Sequence, residues 1–119
     1  MAGRAIAVVR DLFFVARLRE TARLAGRPLV FARTPAELTT ALDAEPADLV
    51  IVDLTTAGWD YAALLSVLDG RVPRVPVLGY TTHVLARETQ PLHHRCDRVV
   101  TKETLTRELG DILARGLAA

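Results

Sequence analysis

The sequence predicts a single α/β domain built on a five-stranded parallel sheet with helices on both faces. Three observations predict it. Short, continuous apolar runs recur along the chain, amphipathic helical stretches lie between them, and the length accommodates one core. With 119 residues, 50% of them hydrophobic and 24% charged, the chain has a globular composition and reads as one domain over residues 1–119.

The apolar runs lie at residues 5–9, 29–31, 49–52 and 75–80, with a weaker fifth at Val99-Val100. Runs this short and unbroken suit strands buried on both faces. After the first run, Phe14, Leu18, Ala22 and Ala25 keep an apolar stripe at helical spacing, and Gly26 supplies a stop. Thr34-Pro35-Ala36-Glu37 reads as an N-cap, a first-turn proline and a capping-box glutamate, opening a helix that runs to about Ala44. A third helix is expected over residues 60–68, stopping near Gly70. A last one is expected over residues 104–117, with Leu105, Leu109, Ile112 and Leu113 on one face. Pro91 stands where the fourth helix belongs, so that helix should be short or irregular. Five strands alternating with helices through right-handed crossovers give a flavodoxin-like three-layer sandwich with strand order 2-1-3-4-5.

Bulk properties narrow the function classes. A net charge of +1 creates no global field toward nucleic acid or anionic lipid. The apolar runs are too short for a secretory leader or a membrane span, and the single cysteine, Cys96, cannot form an internal disulfide. A cytoplasmic protein with no membrane or nucleic-acid partner is expected.

In a parallel sheet the residues following each strand gather at one edge, where ligands bind. The sequence places Arg10 and Asp11 there after the first strand, and Asp53 after the third. Thr81, Thr82 and His83 follow the fourth strand, and Lys102 the fifth. A carboxylate ending the run Leu49-Val50-Ile51-Val52 sits among apolar neighbours and needs a partner, with Lys102 or Arg10 the candidates.

These positions resemble the receiver domains of two-component response regulators over essentially the whole chain. The resemblance implies that Asp53 matches the phosphoacceptor, Thr81 the switch hydroxyl, Lys102 the lysine that contacts the phosphoryl oxygens, and Asp11 the second member of the magnesium-binding acidic pair. The run Val75-Pro76-Val77-Leu78-Gly79-Tyr80-Thr81 is also similar to the family's fourth strand. Three positions depart from the pattern: Arg10 stands at the first acid, Glu103 replaces the proline that commonly follows the lysine, and Val99 takes the place of the switch aromatic. Arg10 removes an oxygen ligand from any site that Asp11 and Asp53 would offer magnesium, and adds a fixed positive charge. Opposite charges 4 Å apart attract by about 4 kcal/mol at an effective dielectric near 20, so an ion pair of Arg10 with Asp53 or Asp11 is expected to stand in for the cation.

Plainer readings accompany these. Asp53 could be structural, an anion paired with Lys102, and Thr81 could simply satisfy a backbone group. His93-His94-Arg95-Cys96-Asp97 lacks the ligand spacing of zinc sites and reads as a solvated turn. His83 lies near the cleft, just after the fourth strand. Ser66, the only serine, falls within a helix, and Cys96 precedes the fifth strand, so neither serves as a nucleophile at the edge. The Arg10–Phe13 turn lacks the glycines and hydroxyls of a flavin phosphate cradle. Phe13, Phe14 and Trp59 are expected in the core, and an exposed aromatic there would point to a protein contact.

The expected function is a stand-alone, degenerate receiver: a non-enzymatic signalling module acting by protein–protein contact, with phosphorylation impaired and no required cofactor. Two alternatives stand beside it. One is a working response regulator phosphorylated on Asp53 by a histidine kinase, with magnesium on Asp11 and Asp53. The other is a small enzyme using the Asp11/Asp53/Lys102 cleft. The resemblance also implies a homodimer through the face of the fourth and fifth elements, which Pro91 makes atypical.

Overall fold

A computed structural model describes residues 3–117. Its elements alternate strictly: β1 (Arg4–Val8), α1 (Leu12–Ala25), β2 (Leu29–Phe31), α2 (Pro35–Ala44), β3 (Ala47–Asp53), α3 (Tyr61–Leu68), β4 (Val77–Thr81), α4 (Ala86–His93), β5 (Arg98–Thr101) and α5 (Lys102–Arg115). The five strands form one all-parallel sheet in the order β2-β1-β3-β4-β5. This is the three-layer arrangement that the sequence predicts.

The twofold repeat of each strand divides the core in two. Ala5, Ala7, Leu49, Ile51, Leu78 and Tyr80 face α1 and α5, where Phe14, Leu18, Leu105 and Leu109 cover them. Ile6, Val8, Val50, Val52 and Val77 face the opposite layer, packed with Leu38 of α2 and Leu64 and Leu65 of α3. Asp53, two residues beyond Ile51, continues the strand toward α1 and α5. Thr81, two residues beyond Gly79, continues toward the layer that holds α4.

The punctuation is local chemistry. Asp11 caps α1 by accepting from the backbone N–H groups of Phe13 and Phe14, and Gly26 ends that helix in the left-handed region at φ 67°. Thr34 caps α2 through Glu37 N, while the Glu37 carboxylate reaches back to the N–H of Arg33, one residue before the cap. Asp60 is the cap of α3 rather than its first residue, and α5 starts at Lys102, two residues earlier than expected, and ends at Arg115. β4 begins at Val77 because Val75 and Pro76 precede the strand pairing. α4 is eight residues long, contains Pro91, and has no side-chain cap at its N-terminus. Gly79 is required by close approach: a Cβ there would lie 2.8 Å from Cys96 Sγ and 2.9 Å from Leu54 Cδ1.

Candidate functional site

Asp53 ends β3 almost fully buried. Its Oδ1 accepts two hydrogen bonds from Thr55, one from the backbone N–H at 2.8 Å and one from the hydroxyl at 2.6 Å. Among the described residues no protein group makes a well-aligned hydrogen bond to its Oδ2, beside which the Tyr80 hydroxyl lies. The loop that follows is stapled by Tyr61, whose hydroxyl donates to the Asp53 carbonyl at 2.7 Å and accepts from the Thr56 N–H at 2.9 Å. Tyr80 lies opposite Asp53 in the β3–β4 register and on the same face of the sheet. Its hydroxyl is buried beside the Asp53 side chain without a well-aligned hydrogen bond, and burial together with the Asp53 charge and side-chain contact pushes its pKa up.

The cations are placed differently from the sequence expectation. Lys102 does not pair with Asp53. Its Nζ lies 3.0 Å from Asp11 Oδ2 and rests 5.0 Å from the Phe14 ring centroid. The Lys102 ammonium and the backbone N–H groups of Phe14 and Phe13 hold the Asp11 carboxyl below its ordinary pKa, outweighing the opposing effect of burial. The expected Arg10 ion pairs with Asp53 and Asp11 do not form. Arg10 is exposed, its guanidinium reaching the Ala57 carbonyl at 3.5 Å and lying 5.9 Å from the Trp59 ring centroid. An arginine fork loses little hydration in such a place and gains a stacking surface, which a buried carboxylate would not offer.

Thr81 is also turned elsewhere. Its hydroxyl oxygen accepts from the Thr89 hydroxyl of α4 at 3.0 Å, and Thr89 in turn lies 2.8 Å from His93 Nε2. The edge therefore comprises two clusters: Asp11, Lys102, Phe14, Tyr80 and Asp53 toward α1 and α5, and Thr81, Thr89 and His93 toward α4. Phe14 is in the core and meets Tyr80 with ring centroids 5.0 Å apart. Trp59 is half-buried, but Phe13 is 90% exposed, contrary to the core position expected for it.

The residues do not fit a magnesium site of the receiver type. Asp11 has Oδ1 committed to its helix cap and Oδ2 to Lys102, the Arg10 side chain offers no oxygen, and of the two carboxylates only Asp53 Oδ2 is without a well-aligned donor. Among the described residues no group of three or more His, Cys, Asp or Glu side chains converges to hold a metal. Ser66 is exposed on α3, and burial pushes the Cys96 thiol up to about 11, so neither is an activated nucleophile.

Four participants escape the sequence reading: Thr55, Tyr61, Tyr80 and Thr89. Only Thr55 leaves a local signal, since an aspartate readily accepts from the backbone two residues on. The other three are placed by tertiary contacts.

No family model and no curated protein matches this chain. Solved structures do. The receiver domain of NtrX from Brucella abortus superposes with a TM-score of 0.77 at 18% identity, over 95% of this chain and 97% of that one. The longer NtrX chain superposes with a TM-score of 0.76 at 17% identity over 96% of this chain, which spans only 27% of it. The chemotaxis response regulator CheY4 of Vibrio cholerae gives 0.73 at 18% identity, covering 95% of this chain and all of that one. The receiver domain of the sensor histidine kinase PA1611 from Pseudomonas aeruginosa PAO1, with a magnesium ion coordinated in its active-site cleft, gives 0.76 at 16% identity over the full length of both chains. The fold of this chain is thus that of the response-regulator receiver domains. Among the described residues no helix is long and apolar enough to cross a membrane.

Proposed function

We propose that this chain is a receiver-type signalling module that works through contact with other proteins, and that phosphorylation of Asp53 is impaired. The observation that carries the reading is the commitment of the acids. Both Asp11 oxygens and one Asp53 oxygen are already engaged within the chain, and the position of the other acid holds Arg10. Phosphoryl transfer to a carboxylate needs charge neutralised on the transferring oxygens, and here the nearest ammonium is held by Asp11. Leu12 and Phe13, 69% and 90% exposed at the start of α1, give the edge an apolar surface suited to a protein partner. A histidine kinase or a downstream signalling protein is the partner class this reading implies.

A second reading rests on Asp53 Oδ2. An aspartate oxygen with no well-aligned protein donor is free to attack a phosphoryl group, which is what a working response regulator requires. Incubation with a small-molecule phosphodonor and magnesium, followed by intact-mass measurement, separates the two. Impaired phosphorylation predicts unmodified protein. A stoichiometric phosphate adduct that disappears in Asp53→Asn overturns it in favour of the second reading.

A further inference from the structure

α4 is attached to the rest of the molecule in an unusual way. Its one fully buried residue is a threonine, Thr89, where an amphipathic helix normally seats an aliphatic side chain. Its N-terminus has no side-chain cap, and Pro91 removes the N–H that would bond to the Arg87 carbonyl. A cleft of about 280 Å³, lined by Leu54, Thr55 and Tyr61 on one side and Leu85, Thr89 and Leu92 on the other, separates α4 from the loop after Asp53. Beside Leu92, which packs against the core, the helix is held by a polar contact, the buried Thr81–Thr89 pair, which continues to His93 one turn further along.

The proton count of this chain of groups has a consequence. Thr89 Oγ1 has one proton and three acceptors within reach: Thr81 Oγ1 at 3.0 Å, the Ala86 carbonyl at 3.2 Å and His93 Nε2 at 2.8 Å. When Nε2 is the unprotonated nitrogen of a neutral imidazole, it takes the Thr89 proton, and Thr81 must donate its own proton to Thr89 for the pair to remain bonded. When the neutral ring carries its proton on Nε2, that N–H donates to Thr89, and the Thr89 proton is released to Thr81 or to Ala86. Thr81 then keeps its own O–H for another acceptor, one residue beyond the Tyr80–Asp53 pairing at the sheet edge.

We infer that Thr89 and His93 are positioning residues for the Thr81 hydroxyl, and that the His93 tautomer decides whether Thr81 donates toward α4 or keeps its proton for another acceptor. This link deepens the reading of the chain as a signalling module, since it names the route by which the edge and α4 influence each other. It does not depend on whether Asp53 carries a phosphoryl group.

The test is the nitrogen chemical shifts of the His93 ring, which distinguish its tautomers, recorded well above the ordinary histidine pKa of about 6.5. Thr81→Val, which keeps the shape and removes the hydroxyl, should shift the His93 tautomer balance. The same substitution made in a Thr89→Ala background should leave the His93 signals where Thr89→Ala alone put them. Thr89→Ser, which retains the hydroxyl, should preserve the response to Thr81→Val, and serves if Thr89→Ala fails to fold. His93 signals indifferent to Thr81→Val, or responding equally with and without the Thr89 hydroxyl, would overturn the inference. Because no phosphodonor is involved, its failure is distinguishable from failure of the phosphorylation reading.

Discussion

At the scale of single residues, the edge is organised by which donor reaches which oxygen. Asp53 was legible in the sequence because a carboxylate closing a wholly apolar run is conspicuous, and Lys102 because it is the only lysine. Their separation was not legible. Lys102 has a flexible stem that settles on the Phe14 face and on Asp11, which its helix cap already holds in place. Tyr80 shows the same limit: sequence marks it as part of an apolar strand, and only the β3–β4 register sets it against Asp53. Its buried hydroxyl lies beside Asp53 without a well-aligned hydrogen bond, a state that costs free energy which a phenylalanine avoids. Tyr80→Phe is therefore expected to raise the unfolding free energy by about 1 kcal/mol, measured by denaturant titration. A loss of that size would mean instead that the hydroxyl is bonded in solution.

At the scale of elements, local signals succeeded wherever the chain carries its own punctuation. The Thr34–Pro35–Glu37 start of α2 behaves as its residue types dictate, and Thr34→Ala should lower stability by about 1 kcal/mol, with heat or denaturant unfolding as the measure. α4 is the contrasting case. Pro91 announced a short helix, and the helix is short, but nothing local revealed that a threonine would be its buried contact. β4 carries a constraint of the same kind. Gly79 lies beneath Leu54 and Cys96, so Gly79→Ala must displace both side chains, and a destabilisation of about 1–3 kcal/mol is expected. Full stability in that variant would show that both side chains yield without cost.

At the scale of the whole molecule, the acid limb of stability follows from carboxylates that the fold engages. Asp11 is lowered chiefly by Lys102. For Asp97, burial opposes ionisation, but the Val77 N–H and Arg74 outweigh it and its pKa is also lowered. A group whose folded pKa lies below its unfolded value stabilises the fold above the unfolded value and loses that contribution as pH falls through the folded one. Stability should therefore decline as pH falls below the ordinary aspartate value of about 3.9. Asp11→Asn should flatten that decline, a difference visible in unfolding free energies measured across the acid range. An unchanged acid slope in this variant would show that the Lys102 contact does not persist in water.

The sequence by itself determined the layered fold, the order of the strands and the residues that arrive at the sheet edge. The elements follow from apolar periodicity, which short stretches of chain carry, and the strand order from the arrangement that five parallel strands with right-handed connections commonly adopt. Tertiary structure alone decided the pairings at that edge: Arg10 on Ala57 and Trp59, Lys102 on Asp11, and Thr81 on Thr89. Each joins elements far apart in the chain or turns a side chain to one face of the sheet. The choice among nearby donors and acceptors rests on ångström differences in distance that no residue pattern encodes.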